Sequence, residues 1–160
     1  MSGFACTIDD GVAILTMTSG ENRFNPDFLH ELNDVLDNIE AEDARVMVVT
    51  SAHPQIFSNG IDLDWVLPIL RAQDTGSFYA YLSDMNALIK RLTFFPMPTI
   101  AAVNGHAFAG GAVLSCCFDF RFMRSDRGYF CLPEVDLGVP FLPGMIAVLK
   151  KAMPVSTLEE

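Results

Sequence analysis

The chain has 160 residues, 51% of them apolar, and a formal net charge of −10. That length and apolar content suit one folded domain with a sizeable core and exclude a disordered chain. The acidic balance argues against nucleic acid as a partner, and no apolar stretch reaches the roughly 18–20 residues that a membrane span needs.

Phe4–Ile8 and Val12–Met17 read as strands joined by Asp9-Asp10-Gly11, a hairpin signal. Ser19-Gly20-Glu21-Asn22 breaks the pattern. A helix is predicted from Pro26, with Asn25 as N-cap, because Phe28, Leu29, Leu32, Val35, Leu36 and Ile39 recur at helical spacing. Glu40, Glu42 and Asp43 close it. Val46–Thr50 is a β-rich run of the kind buried on both faces of a sheet. Leu63 to about Arg71 and Ser77–Leu92 read as helices, the second stopped by Pro96 and Pro98. Thr99–Val103 is another buried strand, followed by a short helix over Gly110–Cys117. Phe118–Met123 and Gly128–Leu132 read as strands, and Met145–Ala152 as a final helix ending at Pro154. Alternation of strands and helices without a linker or repeat indicates a single α/β domain over residues 1–160.

Two glycine turns stand out, FSNGID (Phe57–Asp62) and NGHAFAGGA (Asn104–Ala112). Each follows a predicted strand and precedes a helix, the end of the strands where α/β proteins gather function. Glycine lets a bare backbone N–H approach a ligand, and two such groups aimed at one point make an oxyanion hole. Glu134, in LPEVDLG, is the carboxylate that would make such a hole a proton-transfer site.

Plainer readings stand beside these. Glu134 is also readable as an ordinary loop acid, Asp136 as a solvated turn residue, Asp62 as the N-cap of the helix from Leu63, and His106 as a packed histidine. Ser115 lacks the G-x-S-x-G elbow of a serine hydrolase. Trp65, Phe94, Phe95 and Met97 read as core or pocket lining. Cys6, Cys116, Cys117 and Cys131 form no C-x-x-C and no zinc spacing, so buried free thiols and no metal are expected. Most cations, Arg121, Arg124 and Arg127 among them, read as surface charges, although a few could hold a small anion. MSGFACTIDD has no secretory features and STLEE is no readable address, so a cytoplasmic protein is the expectation.

In FSNGIDL, IAAVNGHAFAGG and PEVDLG, in that order, the chain resembles the enoyl-CoA hydratase/isomerase (crotonase) family. The resemblance spans essentially the whole chain. NGIDL and FMRSDRG…PEVDLG are most similar to its Δ3-Δ2-enoyl-CoA isomerases of peroxisomal type. It implies a spiral of β-β-α units and a role in fatty-acid β-oxidation, with peroxisome or mitochondrion as further locations. It carries the oxyanion N–H groups onto Ile61 and Gly110 and the acid/base onto Glu134. Arg23, Phe24, Ser58, Asn59, Gly60, Asp62 and Leu63 fall where the family meets substrate and coenzyme A, although a loop charge and a packed aromatic are equal readings of Arg23 and Phe24. Phe108, Val113 and Leu132 fall on the apolar pocket wall. Coenzyme A would arrive as part of the substrate, with no permanent cofactor and no metal.

Two departures sharpen the expectation. Hydratases of the family carry a second glutamate where this chain has Val113, so hydration loses its usual pair of carboxylates while isomerisation keeps its single base. Members also continue into further helices that cover the acyl pocket and build trimer contacts; this chain stops soon after Pro154, so a core without them is expected, trimeric only if the family assembly is retained. The alternatives are another acyl-CoA reaction, such as hydration or thioester hydrolysis, and a non-catalytic acyl-CoA-binding or assembly module.

Overall fold

A computed structural model describes residues 3–138 and 140–154; the C-terminal STLEE lies outside the described residues. Strands β1 (Phe4–Asp9) and β2 (Val12–Met17) form an antiparallel hairpin closed by the pair Asp9↔Val12. Its two loop residues, Asp10 and Gly11, are both left-handed (φ 45° and 76°), the turn whose twist matches that of the strands. After β3 (Arg23–Phe24) comes α1 (Pro26–Ala41), started by the Asn25 side chain, which accepts the Phe28 N–H at 3.0 Å. Its apolar stripe, Phe28, Leu29, Leu32, Leu36 and Ile39, is buried, each side chain contributing about 1.5–3 kcal/mol.

The chain then repeats a pattern of long strand, short strand, helix. β4 (Val46–Ser51) leads to β5 (Ile56–Ser58), β6 (Gly60–Ile61), α2 (Leu63–Arg71) and α3 (Thr75–Thr93). β7 (Thr99–Val103) leads to β8 (His106–Phe108) and α4 (Gly110–Cys117). β9 (Phe120–Met123) leads to β10 (Phe130–Cys131), α5 (Glu134–Leu137) and α6 (Pro143–Ala152). The long strands assemble in the order β1-β2-β4-β7-β9, parallel from β2 onward. The short strands form a separate parallel sheet, β10-β8-β5, and the pair β3-β6. This is the α/β spiral of β-β-α units that the resemblance implies, around one hydrophobic cluster that runs from Phe4 to Leu149. Among the described residues no helix is long and apolar enough to cross a membrane.

Several elements differ from the sequence reading. The strand expected from Phe118 starts at Phe120, because Phe118 ends α4 and Asp119 turns back to accept the Thr99 N–H and hydroxyl, each at 2.9 Å. The strand expected over Gly128–Leu132 shrinks to Phe130–Cys131, held by β8 alone. α3 begins at Thr75, because Asp74 caps it by accepting the Ser77 N–H. β4 is buried on one face and half-buried on the other, not on both. Phe94 is not core: it is 76% exposed at the end of α3. Cys6 is exposed rather than buried, although it pairs with the buried Leu15 of β2.

Candidate active site

The two glycine turns meet backbone to backbone. Gly60 is left-handed (φ 73°), and a Cβ placed on it would lie 2.5 Å from the Gly110 nitrogen. A Cβ on Gly111 would overlap the Ser58 carbonyl. Only glycine permits this approach, because any side chain would wedge β6 away from α4.

The register fixes where the amides of the first turn point. Phe24 lies opposite Ile61, and its carbonyl accepts the Asp62 N–H at 2.9 Å. Successive N–H groups of a strand face opposite edges, so the Ile61 N–H faces away from β3. The Gly60 N–H is taken up by Ser58 Oγ at 3.1 Å.

The second turn supplies a bare helix start. Ala109, before α4, has φ 50° and ψ −124°, a conformation alanine rarely adopts, and no side chain caps the helix. The Ala109 carbonyl receives the N–H groups of Ala112 and Val113, which leaves those of Gly110 and Gly111 ahead of the first helical bond. The positive end of the helix dipole is therefore presented beside Gly60.

Glu134 follows β10, which is hydrogen-bonded to the second turn. The Ala109 N–H donates to the Cys131 carbonyl at 2.9 Å, tying the residue before Gly110 to the strand that ends three residues ahead of Glu134. Pro133 then turns the chain into α5. The Glu134 carboxyl is half-buried, its Oε2 has no hydrogen-bond partner among the described residues, and burial raises its pKa above the ordinary glutamate value. An acid held partly out of water with an unused oxygen is suited to taking and returning a proton.

The other expected residues divide. Val113 is packed into the core (1% exposed), Leu132 is half-buried against it, and the half-buried Phe108 ring stacks on His106 at 5.2 Å. His106 stacks on Tyr129 as well, and its Nδ1 accepts the Tyr129 N–H. The Phe24 ring is buried against Phe28 and beside Gly110, so it shapes the turn from within. The Arg23 charge is met by Glu21 at 2.6 Å and Asp64 at 3.0 Å. Those hydrogen bonds from Arg23, and then from Asn59, hold the Glu21 pKa below the usual range. Asp62 caps α2 by accepting the Asp64 N–H, while Leu63 is exposed at its start. Ser58 is fully buried, and Asn59 is half-buried with its amide nitrogen on Glu21. Asp136 is exposed, and the buried Ser115 hydroxyl donates to the Ala112 carbonyl.

Sequence reasoning missed Tyr81 and Asn22. Tyr81 is buried, its hydroxyl donates to the Phe24 carbonyl at 2.8 Å, and burial raises its pKa further. Asn22 was visible only as part of a pattern break, although asparagine after Gly20 and Glu21 is a signal for a left-handed turn.

The match to relatives covers the chain almost from end to end. The family model Enoyl-CoA hydratase/isomerase matches residues 7–160. Enoyl-CoA delta isomerase 2, peroxisomal, of Arabidopsis thaliana is 35% identical over 158 residues, covering 92% of this chain and 63% of the relative. The apo enoyl-CoA isomerase of Mycobacterium tuberculosis superposes with a TM-score of 0.85 at 28% identity, covering 99% of this chain and 66% of that one. An enoyl-CoA hydratase from Shewanella pealeana gives the same TM-score of 0.85 at 27% identity, covering 98% and 59%. The chain thus spans about 60% of the length of these relatives, and the fold does not separate isomerase from hydratase. By sequence and by fold, the chain belongs to the enoyl-CoA hydratase/isomerase family.

Proposed function

We propose that this chain carries the site of a Δ3-Δ2-enoyl-CoA isomerase, in which Glu134 moves one proton within a 3-enoyl-CoA thioester. The observation that carries the reading is the Glu134 carboxyl, half-buried with one unpartnered oxygen and linked through Cys131 and Ala109 to the bare start of α4.

The Glu134 carboxylate takes a proton from C2 of the substrate. The C–H electron pair then spreads through the double bond and the thioester carbonyl, placing negative charge on its oxygen. The N–H groups of Ile61 and Gly110 hold that oxygen, and loss of either donor costs about 3 kcal/mol in the transition state. Glu134 returns its proton to C4, the double bond settles between C2 and C3, and the carboxylate is regenerated. The acyl-CoA is the substrate, and coenzyme A leaves with the product.

Position 113 favours this reading over hydration. Addition of water would need a second carboxylate to orient and activate it, and Val113 is apolar and packed. The Arabidopsis relatives named as delta isomerases support the same choice.

The test is conversion of a 3-enoyl-CoA by the purified protein, followed by the absorbance of the conjugated product. Glu134→Gln should lower kcat by about 10²–10⁴-fold, the usual weight of a positioned acid–base group. Activity that survives in Glu134→Gln refutes the mechanism. Wild-type protein that binds acyl-CoA yet converts none of it would indicate a binding module instead.

A further inference from the structure

The connection between β2 and β3 holds a side chain bonded on every side. Asn22 is fully buried and left-handed (φ 51°). Its amide nitrogen donates to Ser51 Oγ at 2.7 Å and to the Phe57 carbonyl at 2.8 Å. Its amide oxygen accepts the Ser19 N–H at 3.1 Å, and its backbone N–H donates to the Ser19 carbonyl at 2.9 Å. Its own carbonyl accepts the Ser58 hydroxyl at 2.8 Å.

The last bond reaches the first glycine turn. A serine hydroxyl has one proton, and Ser58 commits it to Asn22, so an Oγ lone pair is left for the Gly60 N–H. Next to it, the Glu21 carbonyl accepts the Asn59 N–H at 3.1 Å. The amides on both sides of Ile61 are thereby held, Gly60 through Ser58 and Asp62 through the Phe24 carbonyl.

We infer that Asn22 is a positioning residue for the oxyanion turn, acting through Ser58 and Gly60 to fix the direction of the Ile61 N–H; this rests on the isomerase reading above. Asparagine is required on two counts. The Phe57 carbonyl can only accept, so an aspartate would set a carboxylate against a carbonyl oxygen. The left-handed backbone also suits asparagine better than most side chains.

The experiment uses Asn22→Gly, which keeps the left-handed backbone and removes the side chain, together with Asn22→Asp. Ser58→Ala breaks the second link, and Arg91→Ala, on α3 and away from the turn, controls for general destabilisation. Amide exchange of Gly60 is measured against Leu15 in β2, and kcat and KM are measured on a 3-enoyl-CoA. Each Asn22 variant and Ser58→Ala should speed Gly60 exchange relative to Leu15 by about tenfold or more, and Arg91→Ala should not. In the same variants kcat should fall by about tenfold or more while KM stays within about threefold, since the donor acts chiefly in the transition state. Unchanged Gly60 exchange in Asn22→Gly and Ser58→Ala overturns the inference, as does a faster Gly60 with kcat no lower than in Arg91→Ala. An inert wild type in which Gly60 still loosens overturns the isomerase reading and upholds the hold of Asn22 on the turn.

Discussion

The contact between the two glycine turns can be tested by adding one methyl group. In Gly60→Ala the new Cβ would meet the Gly110 nitrogen at 2.5 Å, the Phe108 carbonyl oxygen at 2.9 Å and Gly110 Cα at 3.0 Å. All three are backbone atoms, so no flexible side chain can yield. Holding alanine in the left-handed region costs about 1–2 kcal/mol. Forcing β6 and α4 apart adds about 1–3 kcal/mol, the usual range for overpacking. Stiffening of the unfolded chain returns about 0.4–1 kcal/mol, giving a net loss of about 1–5 kcal/mol. Gly20→Ala is the matched control: Gly20 is also left-handed (φ 58°), but a Cβ there meets nothing within 4 Å. It bears the conformational cost alone, and urea unfolding should separate the two variants by about 1–3 kcal/mol. In the isomerase assay Gly60→Ala should also lose up to about 100-fold in kcat as the Gly110 donor moves. If the two variants unfold within about 0.5 kcal/mol of each other, the limit of such comparisons, the turns are not in contact and the argument for paired donors fails.

Four further outcomes follow from other parts of the molecule. Burial raises the Glu134 pKa, so kcat/KM should fall on the acid side at a pH above the ordinary glutamate range. The folded state also keeps this proton where the unfolded state has lost it. Wild-type stability should therefore fall relative to Glu134→Gln as pH rises from 4.5 through the raised pKa, as urea titrations across pH would show. In a thiol-reagent titration of the native protein Cys6 should react first, whereas Cys116 and Cys117, the latter pushed up to about 12 by burial, should react only on unfolding. Arg91 joins α3 to α1 through Asp37 at 2.6 Å, Glu40 at 2.7 Å and the Asn33 carbonyl at 3.1 Å. Arg91→Ala should cost about 1–3 kcal/mol in chemical denaturation, and Arg91→Lys should recover only part of it, lacking the planar fork.

Much of this was legible in the sequence where local signals and burial agree. The hairpin at Asp10-Gly11, the Asn25 cap and the stripe from Phe28 to Ile39 are each written within a few residues, and each is present. The short strands β3 and β6 were not legible, and β10 was expected too long, because two residues carry no periodicity and are made strands only by their partners. The exposure of Phe94 follows from its place just past α3, which an aromatic-rich sequence does not reveal. At the site, the glycines and Glu134 were readable as residue types. That Gly60 touches Gly110, and that Asn22 reaches Gly60 through a serine hydroxyl, depends on a crossover between spiral turns, which no local pattern encodes.

The same crossover explains why one scaffold serves both isomerases and hydratases. On the proposed reading, the bare amides at the start of α4 and the turn at Gly60 would stabilise charge on a thioester oxygen, whichever bond is made afterwards. Side chains set around that oxygen then choose the reaction. In the proposed isomerisation the half-buried Glu134, its pKa raised by burial, would carry the proton, and Val113, packed at 1% exposure, would give water no second acid to bind. Val113→Glu would bury a carboxylate among apolar neighbours, where the charge either neutralises or destabilises the helix by several kcal/mol. Conversion to a hydratase therefore requires reshaping the surroundings of α4, and a single exchange at position 113 should leave a less stable protein with no gain in hydration.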